Sequence, residues 1–251
     1  MSEEKNMTFW EHLDELRGSL FRMLAAVALM GAGAFAFKEL LFDVVLAPSK
    51  SGFITYRLLG SEPFEIHLVN TQLTEQFMVH LRMAAYVGFL AASPFILYEL
   101  FRFISPALYK NERKYTIIVI GAAYLMFIIG TLVNYFLIFP LTVRFLGTYQ
   151  VSEEVANMLT LDSYADTLMM MCLVIGIVFE LPVLSALLAK LRLITAGIMK
   201  RFRKHALVVI LIVAAIITPT ADIFTLLIVA MPIWLLYEAS IGIVTILQKQ
   251  D

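Results

Sequence analysis

The sequence predicts an all-α, polytopic membrane protein that crosses the bilayer about six times, with both termini on the cytoplasmic side. Three observations predict it: an apolar excess, its concentration into long uncharged runs, and a one-sided distribution of Lys and Arg between those runs. Across 251 residues, hydrophobic residues make up 61% and charged residues 16%. A soluble domain sits near ~45–50% apolar and ~25% charged. The net charge of −1 provides no global field for nucleic acid, so nucleic-acid binding is not expected.

A helix rises ~1.5 Å per residue and the hydrocarbon core is ~30 Å thick, so ~20 apolar residues cross it. Residues 20–37 form the first span, interrupted only by Arg22 near its start. Residues 77–98 form the second, with His80 and Arg82 in its opening turns. Residues 115–141 carry no charge at all and form the third. Residues 168–189 form the fourth and hold one acid, Glu180. Residues 206–217 form the fifth, only 12 residues long, and residues 223–247 the sixth, with Glu238 in its second half. Twelve residues reach ~18 Å, so spans five and six are expected to form a shortened or re-entrant hairpin around the turn residues 218–222. The whole chain, 1–251, reads as one membrane domain. The loops at 38–76 and 142–167 are long; residues 53–56 and 64–68 are expected as short extended pieces, and 71–76 as the start of the second helix.

Orientation follows from the loops. One side carries 14 Lys and Arg residues and the other 4, which places both ends in the cytoplasm. Arg201, Arg203 and Lys204 belong to the rich side and are expected to enforce orientation and touch anionic lipid. Residues 1–19 lack the basic start and cleavage site of a secretory signal, so the first span is expected to act as an uncleaved insertion signal. His80 and Arg82 are expected to snorkel to the outer interface. The single cysteine, Cys172, rules out an internal disulfide and reads as a small buried hydrophobe.

Three places can carry function. Residues 8–17 read as a short helix opened by a capping box of Thr8 and Glu11. Phe9, Leu13, Leu16 and Leu20 form its apolar stripe, and Glu11, Asp14 and Glu15 an acidic face. A helix lying on an anionic membrane surface normally shows bases there, so the acids are open to two readings: a solvated face, or a docking face for a cationic partner. Glu112, flanked by bases in the loop 101–114, is either an ordinary surface ion pair or a second carboxylate on the same side as Glu15. Glu180 lies mid-span before Leu181-Pro182. A charged carboxylate there costs at least ~2.5–3.5 kcal/mol, so it must face protein or water. It is a structural acid bonded to another helix, a functional polar site, or the proton or cation site of a small-solute secondary transporter, a class that proline-broken helices also suit.

Enzyme signatures are absent from the sequence: there is no phosphate-binding G-x-x-x-x-G-K, no H-E-x-x-H and no G-x-S-x-G. The four His stand at 12, 67, 80 and 205, on both sides of the membrane, so no metal site or cofactor is expected.

Four strings in order resemble one family. Glu11-His12-Leu13-Asp14-Glu15-Leu16-Arg17 is similar to the H-L-x-E-L-R signature of TatC, the core subunit of the twin-arginine protein translocase. Ser93-Pro94 through Tyr98, Phe103, Pro106-Ala107-Leu108-Tyr109 and Glu112-Arg113 resembles its S-P-x-x-x-Y…F-x-x-P-A-L-Y-x-x-E-[RK] stretch. Phe179-Glu180-Leu181-Pro182 resembles F-E-x-P, and Thr218-Pro219 with Asp222 resembles T-P-x-D, lengthened by Ala221. Leu226 stands where TatC proteins often carry Gln. The resemblance implies a concave, glove-like bundle whose fifth and sixth spans are short. It implies a non-enzymatic receptor that binds twin-arginine signal peptides through Glu15 and Glu112, with Phe103, Arg17, His12 and Leu16 alongside. It implies export of folded proteins driven by the proton-motive force, with Glu180 as an intramembrane polar site and Thr218 and Asp222 at a partner contact. The implied partners are TatA or TatB, twin-arginine precursors, other copies of the chain and membrane lipids.

Overall fold

The computed structural model describes residues 9–60, 64, 66–104, 113–149, 152, 158–218 and 222–249, with side chains for all of these except 9–12, 101, 104 and 113–117. Eleven helices and one short pair of strands are found among them. The chain divides into two compact units, Met1–Leu41 with Leu81–Tyr124, and Phe42–His80 with Leu125–Asp251. Five stretches are long and apolar enough to cross a membrane: Leu13–Ala36, Glu75–Leu100, Ile118–Thr148, Leu161–Lys190 and Ile223–Leu247.

In the first unit, α1 (Phe9–Ala36) is one continuous helix of 28 residues. The acidic segment expected as a separate short helix is therefore its first turns; a lone Gly18 costs only ~1 kcal/mol, too little to break so long an apolar helix. It packs on α4 (Glu75–Ile104) through glycine. A Cβ added to Gly88 would sit 2.5 Å from Cα of Gly31 and 2.8 Å from the carbonyl oxygen of Val27. In lipid, where no hydrophobic force drives helices together, such backbone approach is what makes the contact.

In the second unit, α2 (Lys38–Leu46) leads into the outer loop and α3 (Ile54–Leu58). Residues 53–56, expected as extended, thus enter a helical turn. Its side chains anchor it: Tyr56 is fully buried, and its hydroxyl lies 2.7 Å from the Pro48 carbonyl and 2.9 Å from that of Pro140. Burial pushes this phenol well above its usual range. Strand β1 (Leu68–Val69) pairs in parallel with β2 (Leu159–Thr160), joining the two long loops. Glu75, only 4% exposed, takes amide N–H donors from Thr71 (2.8 Å), Gln72 (3.0 Å) and Asp162 (3.1 Å) at that joint. His80 is buried against the Phe42 ring (centroids 5.6 Å apart) rather than reaching for the interface, because an imidazole offers an apolar face for packing.

The third span runs from α5 (Arg113–Val133) through a wide π turn, Asn134–Ile138, into α6 (Phe139–Thr148). The Phe136 carbonyl in the π turn accepts the Thr55 hydroxyl, and the Tyr135 hydroxyl donates to the Val44 carbonyl at 2.6 Å. The fourth span is two helices, α7 (Leu161–Val178) and α8 (Leu181–Lys190). Pro182 cannot donate an N–H, so the Val178 carbonyl loses its partner and the helix breaks at Phe179 and Glu180. Short α9 (Ala196–Arg201) follows, and Ala189, Ala196, Met199, Ile241 and Val244 form a buried cluster with α11 (Ile223–Leu247). Before α11 comes α10 (Arg203–Ile217), 15 residues long. At ~22 Å it falls short of a ~30 Å core, in keeping with the short fifth span of the sequence reading.

Candidate functional site

At the N-terminal end of α1, Leu13, Asp14, Leu16 and Arg17 are exposed and Glu15 is half-buried. The Arg17 guanidinium lies over the Phe21 ring, 5.7 Å from its centroid. One oxygen of Glu15, Oε2, is shielded from solvent and accepts no hydrogen bond among the described residues. A carboxylate oxygen in that state is a ready acceptor, because leaving it bare costs ~1–3 kcal/mol that a donor recovers. The backbone of His12 lies in α1; its side chain is outside the described residues.

One turn further on, Ser19 is buried and Arg22 is half-exposed. Arg22 is not the free orientation charge that its position suggests. Its Nε lies 3.2 Å from Glu99 Oε1, one terminal nitrogen lies 2.7 Å from Glu99 Oε2, and that nitrogen also meets Ser19 Oγ at 2.9 Å. Glu99 is 2% exposed, with Arg102 3.8 Å away as a weaker second cation. Glu99 was missed in the sequence reading. The sequence marks it only as an acid at the end of an apolar run; the pairing itself comes from the packing of α1 on α4. Phe103, half-buried, stands one turn past Glu99 on α4. Glu112 lies outside the described residues. The structure therefore assembles Glu15, Ser19, Arg22, Glu99 and Phe103 within one unit.

The second site centres on Glu180. It is 8% exposed, sits at the α7–α8 break, and its Oε1 has no hydrogen-bond partner among the described residues. It makes no side-chain cap to α8. A Cβ at Gly130 would lie 2.7 Å from Phe179, so α5 approaches this joint without a side chain between. Two turns back on α7, Cys172 is buried as expected and meets the Asn134 amide nitrogen at 3.1 Å, while Asn134 Oδ1 finds no partner among the described residues.

Thr218 and Asp222 stand at the α10–α11 turn, where residues 219–221 are outside the described residues. Thr218 is buried and its hydroxyl donates back to the Ala214 carbonyl at 3.0 Å. Asp222 caps α11, its Oδ1 accepting the Thr225 N–H at 2.8 Å and its Oδ2 the Thr225 hydroxyl. At the other end of α10 from the turn, exposed Arg203 bonds Glu238 at 2.6 Å, tying α10 to α11. Among the described residues no group of three or more metal-capable side chains converges.

A family model described as Sec-independent protein translocase protein (TatC) matches residues 11–232. The chain belongs to the TatC family. A TatC protein of Blattabacterium from Periplaneta americana is 36% identical, with 97% of each chain covered. One from Aquifex aeolicus is 35% identical over 94% of this chain and 93% of its own. A crystal structure of a twin-arginine translocase receptor, TatC, superposes with a TM-score of 0.79 at 33% identity, covering 94% of this chain and 99% of that one. A second, determined in the detergent DDM, gives 0.80 at 32% identity. This TatC chain is thus a multi-pass helical membrane protein, which its five long apolar helical stretches fit.

Proposed function

We propose that this TatC chain is the receptor and translocation subunit of a Sec-independent, twin-arginine protein translocase in the cell membrane. It binds the paired arginines of signal peptides on the cytoplasmic side and takes part in proton-motive-force-driven export of folded proteins. The observation that carries the reading is the half-buried Glu15 with an unpartnered oxygen on the acidic end of α1, in a chain of this family. A guanidinium is permanently charged and offers two parallel N–H donors to a carboxylate, which an ammonium cannot match. Two carboxylates, Glu15 and Glu112, suit two arginines, with Phe103, His12, Leu16 and Arg17 completing the surface. The role is one of binding and transport, with no chemical step.

In this reading Glu180 is a polar site that meets a partner helix within the membrane. Thr218 and Asp222 belong to the contact with TatA or TatB. Other copies of the chain and membrane lipids complete the assembly. The solute-transporter reading of Glu180 is not favoured by membership of a protein-translocase family.

Binding of the purified protein to a synthetic signal peptide carrying Arg-Arg, compared with the same peptide carrying Lys-Lys, tests the receptor role. Selective binding of the arginine form, lost in Glu15→Gln, is expected. Equal binding of both peptides, with TatA or TatB added as well, would overturn it.

A further inference from the structure

The Arg22 guanidinium is chemically the same group as the ligand that the receptor reading assigns to Glu15. It follows Glu15 by seven residues on one unbroken helix. Seven residues are about two turns, ~10.5 Å of rise, so both side chains share a face. Helical side chains lean toward the N-terminus, which aims Arg22 back at Glu15. The two are within electrostatic reach of one another. An arginine tethered this close competes at a high effective concentration with any arginine arriving from solution.

Yet Arg22 is turned away. Its two-pronged contact with Glu99, at 3.2 and 2.7 Å, and its bond to Ser19 at 2.9 Å occupy the guanidinium, and Glu15 Oε2 is left bare. Glu99 wins because it is 2% exposed while Glu15 is only half-buried. A buried carboxylate without a paired cation is far costlier than a half-solvated one. Ser19, between Glu15 and Arg22 on the helix, adds a neutral acceptor that holds the guanidinium on the Glu99 side.

We propose that Glu99 is a positioning residue of the receptor site: it sequesters Arg22 in an internal ion pair and so keeps Glu15 open to an arginine of the signal peptide. The inference rests on the receptor reading above. Glu99 itself does not touch the ligand; it acts on Arg22.

The full-length protein in detergent is titrated with the Arg-Arg peptide as wild type, Glu99→Gln, Arg22→Gln/Glu99→Gln and Glu15→Gln. Glu99→Gln releases Arg22 to Glu15. If the released arginine covers Glu15 about nine-tenths of the time, the apparent Kd rises about tenfold. The double variant removes the competitor too and is expected to bind as tightly as wild type. Unchanged binding in Glu99→Gln overturns the proposal. So does a double variant as weak as Glu99→Gln, because Glu99 then acts directly on the ligand or only on the fold. Should Glu99→Gln fail to accumulate, the double variant alone still decides, since weakened binding there contradicts the proposal. Binding that survives Glu15→Gln is a separate failure, that of the receptor reading itself.

Discussion

Glu15, Glu75, Glu99 and Glu180 are all buried or half-buried and differ in the supply of donors. Glu75 has three amide N–H donors and the Thr71 hydroxyl, and serves as a structural joint. Glu99 has a guanidinium and is satisfied. Glu15 and Glu180 each keep an oxygen with no partner among the described residues, and these two are assigned function. That contrast yields two predictions. Glu180→Leu removes an unpaired buried group whose penalty is ~1–3 kcal/mol, so the variant is expected to unfold in detergent no earlier than wild type while export of a twin-arginine precursor falls. A clear loss of thermal stability would show that Glu180 has a structural partner. Glu75→Ala strips three backbone amides of their acceptor and should lower the unfolding temperature; equal melting of both proteins would refute its role as a joint. Glu180 was legible from sequence because an acid within an apolar run is conspicuous, whereas Glu15 was singled out from its acidic face only by the family resemblance. The pairing of Arg22 with Glu99 was not legible, since the two lie 77 residues apart. Only the packing of α1 on α4 decides which charge meets which.

At the scale of elements, breaks and contacts come from single residues. The contact of α1 with α4 depends on Gly88, where any Cβ enters the backbone of Gly31. Overpacking of this kind costs ~1–3 kcal/mol or more, so Gly88→Val is expected to lower the unfolding temperature. Gly33, whose added Cβ would meet open space, is the control: Gly33→Ala should leave the unfolding temperature near that of wild type. If both variants melt like wild type, the close contact does not hold the pair. The α11 cap rests on Asp222, and Asp222→Ala should cost ~1 kcal/mol. Its twofold contact with Thr225 leaves it less free to hold a partner subunit than its place in a turn suggests. Pro182 shows what a local reading can and cannot do. A helix break near it was legible, but its consequence, an acid at the joint of α7 and α8 facing no donor among the described residues, depends on what packs there. Residues 53–56 were expected as extended, yet enter the helical turn Ile54–Leu58, because Tyr56 is held by carbonyls outside the turn, Pro48 earlier in the loop and the distant Pro140. Tertiary anchoring overrides a local preference of so few residues.

For the molecule as a whole, function depends on the side of the membrane on which the acids stand. The 14-to-4 bias of Lys and Arg predicts cytoplasmic termini. Reporter domains fused at each end are expected to be inactive if they need the exterior and active if they need the cytoplasm; the reverse pattern would move Glu15 to the wrong face for a signal receptor. Given that orientation, Glu112→Lys should abolish export of a twin-arginine precursor while the protein still accumulates in the membrane. Normal export in that variant would remove Glu112 from the site.

What the amino-acid sequence by itself determined is the class of fold and the family. Both are written in local terms: runs of apolar residues long enough to satisfy a bilayer, bases gathered between alternate runs, and short strings such as His12–Arg17 and Phe179–Pro182 whose order is diagnostic. The tertiary structure alone decided the state of each polar group. Whether a carboxylate is answered, as in Glu75 and Glu99, or left open, as in Glu15 and Glu180, depends on donors carried by other helices and loops. Hydropathy is a property of a segment, whereas hydrogen-bond satisfaction is a property of a place, and the place exists only once the helices have packed.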